Sequence, residues 1–200
     1  MLSRYLTLAC YPTKVSTQQH QGEAPNEDAF GLTHVDGRGQ ANMVDVGDKA
    51  LTRRRAVAEA VIRLDAETCD LLFTGQLSKG EALAVARIAG IQAAKETSRL
   101  IPLCHSLALS HAGVEFGRQE PNAVRITAEA TTVSGTGVEM EAMTAASIAA
   151  LTIYDMVKAR CRTAVVESVR LLHKSGGKSG TFNLKPDDRG IEEDPDRLDS

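Results

Sequence analysis

Several residues in this chain carry groups that can move protons or hold anions. Glu139 and Glu141 follow a Gly-Thr-Gly turn at 135–137, and the same stretch closes with Asp155 and Lys158. Two carboxylates beside a flexible turn can exchange protons or bind the polar edge of a ligand. Asp155 stands three positions before Lys158, so on a helix the acid and the ammonium share a face. Lys79 stands in Ser78-Lys79-Gly80-Glu81, and Cys104-His105 follow Pro102. A histidine in a loop can exchange a proton near neutral pH. Lys174 and Lys178 bracket Ser-Gly-Gly, whose open backbone N–H groups suit phosphate oxygens.

Taken singly, each signal has a plainer reading. Acids at helix ends are common, a lone histidine is often structural or solvated, and a Gly-rich turn is often only a turn. Cys104 beside His105 is not a nucleophile–base pair by adjacency alone, and the two lack further metal ligands at any standard spacing. A P-loop would need Gly at position 172, where this chain has Leu172. Asp45, between Val44 and Val46, reads equally well as a turn acid or a site residue.

These groups need elements to hold them. From about Met140 the chain is Ala-rich and free of Gly and Pro, which predicts a helix of several turns. Positions 141, 145, 148, 152 and 155 form one stripe on it, Glu-Ala-Ile-Thr-Asp. Small residues there let another backbone come close, so the helix is expected to be buried on most sides. A core helix with polar ends reads the same way.

Residues 53–64 alternate Ala, Ile and Leu with Arg, Glu and Val, which predicts a strand despite the alanines. Asp65 caps a short helix ending at Gly75. A second helix runs over about 82–99, with Gly90 allowing close approach and Pro102 stopping it. Strands are expected at 109–118 and 123–133, joined by a Pro121-Asn122 turn, and a last strand at about 164–172. The order β, two helices, β, β, α, β is an α+β, ferredoxin-like split βαβ with an antiparallel sheet and an extra helix.

Composition narrows the class. The chain has 200 residues, enough for one domain with a core of its own. It is 42% hydrophobic but 4% aromatic with no Trp, so Ala and Val must do much of the packing. Its net charge of -3 gives no basic footprint for nucleic acid. No apolar stretch is long enough to span a membrane. The four cysteines lack metal spacing and suit a reducing compartment. The cytoplasm is therefore expected; a mitochondrial location would require residues 1–22 to act as a transit peptide. Residues 1–40 read as a poorly ordered arm, 41–185 as the folded domain, and 186–200 as an acidic, solvated tail.

Residues 85–105 resemble the family of cyclic pyranopterin monophosphate synthases, enzymes of molybdenum cofactor biosynthesis. So do Met43-Val-Asp-Val, Thr136-Gly-Val-Glu-Met-Glu-Ala-Met-Thr-Ala-Ala-Ser, Leu151-Thr-Ile-Tyr-Asp-Met and Lys174-Ser-Gly-Gly-Lys-Ser-Gly. The likeness covers about residues 33–184. Ser106 departs from the proline that commonly follows the Cys-His pair, Leu77-Ser78 from histidines that can precede Lys79, and Asn42 from a frequent His.

The resemblance implies a ferredoxin-like fold and a homohexamer, a trimer of dimers. It implies that 3',8-cyclo-7,8-dihydroguanosine 5'-triphosphate is converted to cyclic pyranopterin monophosphate and pyrophosphate. Asp155 matches the acid usually named in the active site, with Lys79, Lys158 and His105 as its catalytic company. Leu103, Cys104, His105, Glu139, Met140, Glu141, Lys174 and Lys178 match substrate-binding positions. Lys79 and Lys158 could act as bases if crowding or burial lowered their pKa. No cofactor and no metal ligand set is implied beyond a Mg2+ carried by the triphosphate.

Glu141 and Asp155 lie ~21 Å apart along a helix, at a rise of ~1.5 Å per residue. That is too far for one small reaction centre, so a pocket at a subunit interface is expected. A non-catalytic nucleotide-binding module on the same fold is the alternative. It would need the lysines but not the three acids together.

Overall fold

The computed structural model describes residues 40–185. The expected arm and acidic tail lie outside the described residues, apart from Gln40. Five strands form one sheet: β1 (Thr52–Arg63), β2 (Leu109–Gln119), β3 (Ala123–Ser134), β4 (Val165–Ser175) and β5 (Phe182–Asn183). The helices are α1 (Ala66–Phe73), α2 (Ala82–Lys95), α3 (Thr97–Leu100) and α4 (Glu139–Val157). The strand order is β2-β3-β1-β4-β5, and every neighbouring pair is antiparallel. The first four strands reproduce the ferredoxin-like order, with β1 and β3 central.

Alternation wins over alanine's helical preference in β1. Ala56, Ala58, Ala60 and Ile62 all face the helix layer and are fully buried. They stand opposite Ala130, Ala128, Ile126 and Val124 of β3, also fully buried. This floor of short side chains lets α4 lie close to the sheet through Ala142, Ala145, Ala146, Ala149 and Ala150. Alanine and valine therefore do the packing that a chain with few aromatics requires.

The other face of the sheet is polar. Arg55 pairs with Glu129 at 2.7 Å, and Glu59, only 7% exposed, lies between Arg125 and Arg170.

Local signals at element ends hold in detail. The Asp65 carboxylate accepts from the Thr68 amide at 2.7 Å and caps α1. Gly90 lies where α2 meets α4: a Cβ there would stand 2.9 Å from the Ala145 carbonyl and from a Val114 methyl. Three details differ from the sequence reading. The helix expected over 82–99 breaks at Glu96, and the short α3 follows it. Strand β4 runs on to Ser175, so Lys174 belongs to the sheet. Strand β5 pairs with its end through His173 and Lys174.

Candidate active site

The start of α4 opens onto a cleft of about 630 Å³. Its walls come from the Gly135–Gly137 turn, the beginning of β1, and the end of β4 with the following glycine turn. Lys174 reaches across it to Glu139, Nζ to Oε1 at 3.0 Å. Lys178 lines the cleft and is exposed. Lys49 and Arg54 line it as well.

Sequence reasoning missed both of these last residues. Arg54 carried a usable signal, since it shares the parity of Ala56, Ala58, Ala60 and Ile62. A strand with a cation at the end of its buried face is offering that cation to something. Lys49 carried no comparable pattern.

Two residues further along α4 the side chain turns inward and is buried. Glu141 is 4% exposed, and burial pushes its carboxyl up to about 7, with the Glu139 charge adding to the rise. It therefore gains and loses a proton near neutrality. Met140, half-buried, lies between the two acids. The 101–105 loop lies within electrostatic reach: burial and the Glu141 charge raise the Cys104 thiol, so it is not a thiolate nucleophile. Leu103 is half-buried beside it.

His105 Nε2 lies 2.8 Å from the Val44 carbonyl. A carbonyl only accepts, so Nε2 carries the hydrogen, and Nδ1 is the nitrogen able to take a proton. Val44 belongs to the Met43–Val46 stretch, which is thus tied to the site loop. Asp45 itself accepts from the Gly47 amide at 2.8 Å and is a turn acid.

The C-terminal end of α4 holds the second group. Asp155 Oδ1 meets Lys158 Nζ at 2.7 Å, and Lys79 Nζ stands 3.8 Å from Oδ2 while donating to the Asp155 carbonyl at 2.9 Å. The hydrogen bond from Lys158, then its charge and that of Lys79, hold the Asp155 carboxyl below its ordinary range. Asp155 in turn raises Lys158. A lowered lysine pKa was the condition for Lys158 to act as a base, and the single chain does the opposite. Here Lys158 is an exposed cation paired with its acid, because nothing among the described residues buries it.

The residues singled out in the sequence thus fall into two groups at opposite ends of one 19-residue helix. Glu139, Met140, Glu141, Lys174, Lys178 and the 103–105 loop gather at its start. Asp155, Lys158 and Lys79 gather at its end. Among the described residues, no cluster of three or more His, Cys, Asp or Glu is arranged to hold a metal. No described helix is long and apolar enough to cross a membrane.

Comparison with known proteins gives two findings. The model of the MoaC family matches residues 43–177. A cyclic pyranopterin monophosphate synthase of Pelotomaculum thermopropionicum is 53% identical over 164 residues, covering 81% of this chain and 96% of that protein.

Proposed function

The chain belongs to the MoaC family, and from that premise we propose that it is a cyclic pyranopterin monophosphate synthase, a lyase of molybdenum cofactor biosynthesis. Its substrate is 3',8-cyclo-7,8-dihydroguanosine 5'-triphosphate. Rearrangement of the cyclised purine builds the pterin. A ribose-derived hydroxyl oxygen then attacks the α-phosphorus, pyrophosphate leaves, and the hydroxyl proton passes to a base.

One observation of this molecule carries the reading. A cleft lined by Lys49, Arg54, Lys174 and Lys178 opens beside a helix whose buried Glu141 titrates near pH 7. The cations suit a triphosphate and its leaving pyrophosphate. The carboxyl suits proton transfer during ring rebuilding. In this reading Lys174 is released from Glu139 when phosphates take the carboxylate's place. A Mg2+ would arrive on the triphosphate as part of the substrate. His105 Nδ1 is a second proton acceptor.

The reaction centre lies between two copies of the chain. Asp155, Lys158 and Lys79 of one copy complete the cleft of the other, within a homohexamer built as a trimer of dimers. Two observations support this. The two groups are separated by most of the length of α4. The outer face of the helix layer also leaves apolar side chains uncovered, with Leu151 and Ile88 55% and 64% exposed. Burial at such an interface is what could lower Lys158 toward a base. Cys69, Cys104 and Cys161 are free thiols, which fits a cytoplasmic location.

Incubation with the cyclised triphosphate tests the function. Pyrophosphate release with appearance of pterin fluorescence is expected, and no pyrophosphate from GTP itself. Equal release from GTP, or none from the cyclised triphosphate, would overturn it.

A further inference from the structure

We propose that Arg54 is the positioning residue of the cleft, a clamp that fixes its two glycine turns relative to each other and holds a cation there that no carboxylate among the described residues pairs with. Its Nε donates to the Ser134 carbonyl at 3.3 Å and its Nη2 to the Gly135 carbonyl at 3.2 Å. Both acceptors lie on the way from β3 into α4. Its Nη1 donates to the Gly176 carbonyl at 3.1 Å, on the turn that follows β4. One planar group thus ties the turn that leads to Glu139 and Glu141 to the turn that separates Lys174 from Lys178.

A guanidinium has five N–H donors. Three are used on carbonyls, and two remain for an anion in the cleft that Arg54 lines. The acceptors are neutral dipoles, so the full positive charge stays in place. Lys174, by contrast, must first give up Glu139. Lysine could not replace Arg54, because one ammonium cannot reach carbonyls on both turns at once.

The glycines are fitted to this clamp. Gly177 has φ +75°, and a Cβ added there would overlap the Arg54 guanidinium. Gly176 has φ +99°, and a Cβ there would overlap the Arg53 carbonyl. The Gly-Gly pair is therefore the shape of a turn pressed against an arginine, which explains it without a P-loop.

The inference rests on the reading above only in taking the anion to be the substrate's triphosphate. The test uses Arg54→Lys, Gly177→Ala and the double variant, with inorganic tripolyphosphate as the binding probe. Each single change should weaken tripolyphosphate binding at least tenfold and raise KM for the cyclised triphosphate by a similar factor, with a smaller fall in kcat. Both act on one contact, so the double variant should be within about threefold of the weaker single one.

Lower melting temperatures with unchanged Kd and KM would make Arg54 merely structural and overturn the proposal. So would independent effects that multiply in the double variant, or a wild-type protein that does not bind tripolyphosphate. Wild-type binding without turnover of the cyclised triphosphate would instead overturn the proposed function and leave the clamp intact.

Discussion

Burial holds the Glu141 carboxyl protonated up to about pH 7, against an ordinary value of 4.5. Its folded-state pKa is raised, so the folded protein binds the proton more tightly than the unfolded chain. The associated stability is complete below about pH 4.5 and is lost as pH rises through about 7. The gap corresponds to roughly 3 kcal/mol. Asp155 has the opposite sign: its pKa is lowered, so its contribution is lost only in acid, outside this window. Glu141→Gln keeps the shape and removes the ionisation. Urea unfolding at pH 5 and pH 8 should show the variant gaining on wild type by a few kcal/mol at the higher pH and matching it at the lower. Parallel pH profiles would show that Glu141 is not the titrating group. At this scale the sequence displayed the acids and lysines but not their electrostatics. Spacing alone placed Lys158 beside Asp155, yet a lysine paired with an acid and open to solvent is pushed up, not down.

The meeting of α2 with α4 depends on Gly90. Alanine would favour the helix itself by ~1 kcal/mol over glycine. The new Cβ would stand 2.9 Å from the Ala145 carbonyl, which is α4 backbone and cannot step aside. Overpacking of this kind costs ~1–3 kcal/mol and should win. Gly90→Ala is therefore expected to lower the melting temperature by a few degrees in a thermal scan, and a rise would contradict the close approach. The elements were largely readable because hydrophobic period and caps agreed: strand alternation in Arg53–Leu64, Asp65 as a cap, Ala-rich α4. The reading failed where tertiary contacts decide. Buried Thr97 donates to the Ala93 carbonyl at the point where α2 gives way to α3. Strand β4 extends because β1 offers partners for His173, Lys174 and Ser175. The site was half legible. Motifs marked the residues, but only the fold showed that Arg54 rather than the lysines ties the two glycine turns together.

Among the described residues, the candidate functional groups stand at the two ends of α4, a helix that no single small substrate spans. One copy offers a cationic cleft with a buried acid at the start of α4, and an exposed Asp155–Lys158–Lys79 cluster at its end. A two-fold pair of chains laid with α4 ends reversed would make two equivalent centres, each using one end from each copy. That arrangement was visible in sequence only as an awkward distance, because a sequence contains one copy. Subunit mixing tests this sharing of the centre between copies most directly. Glu141→Ala and Lys158→Ala proteins are unfolded together, reassembled and assayed for pyrophosphate release from the cyclised triphosphate. Each alone should be inactive. A mixed pair carries both lesions in one centre and neither in the other, so random mixing should restore about a quarter of wild-type activity. No recovery, although mass spectrometry shows mixed oligomers, would mean that the two ends of α4 do not meet across copies.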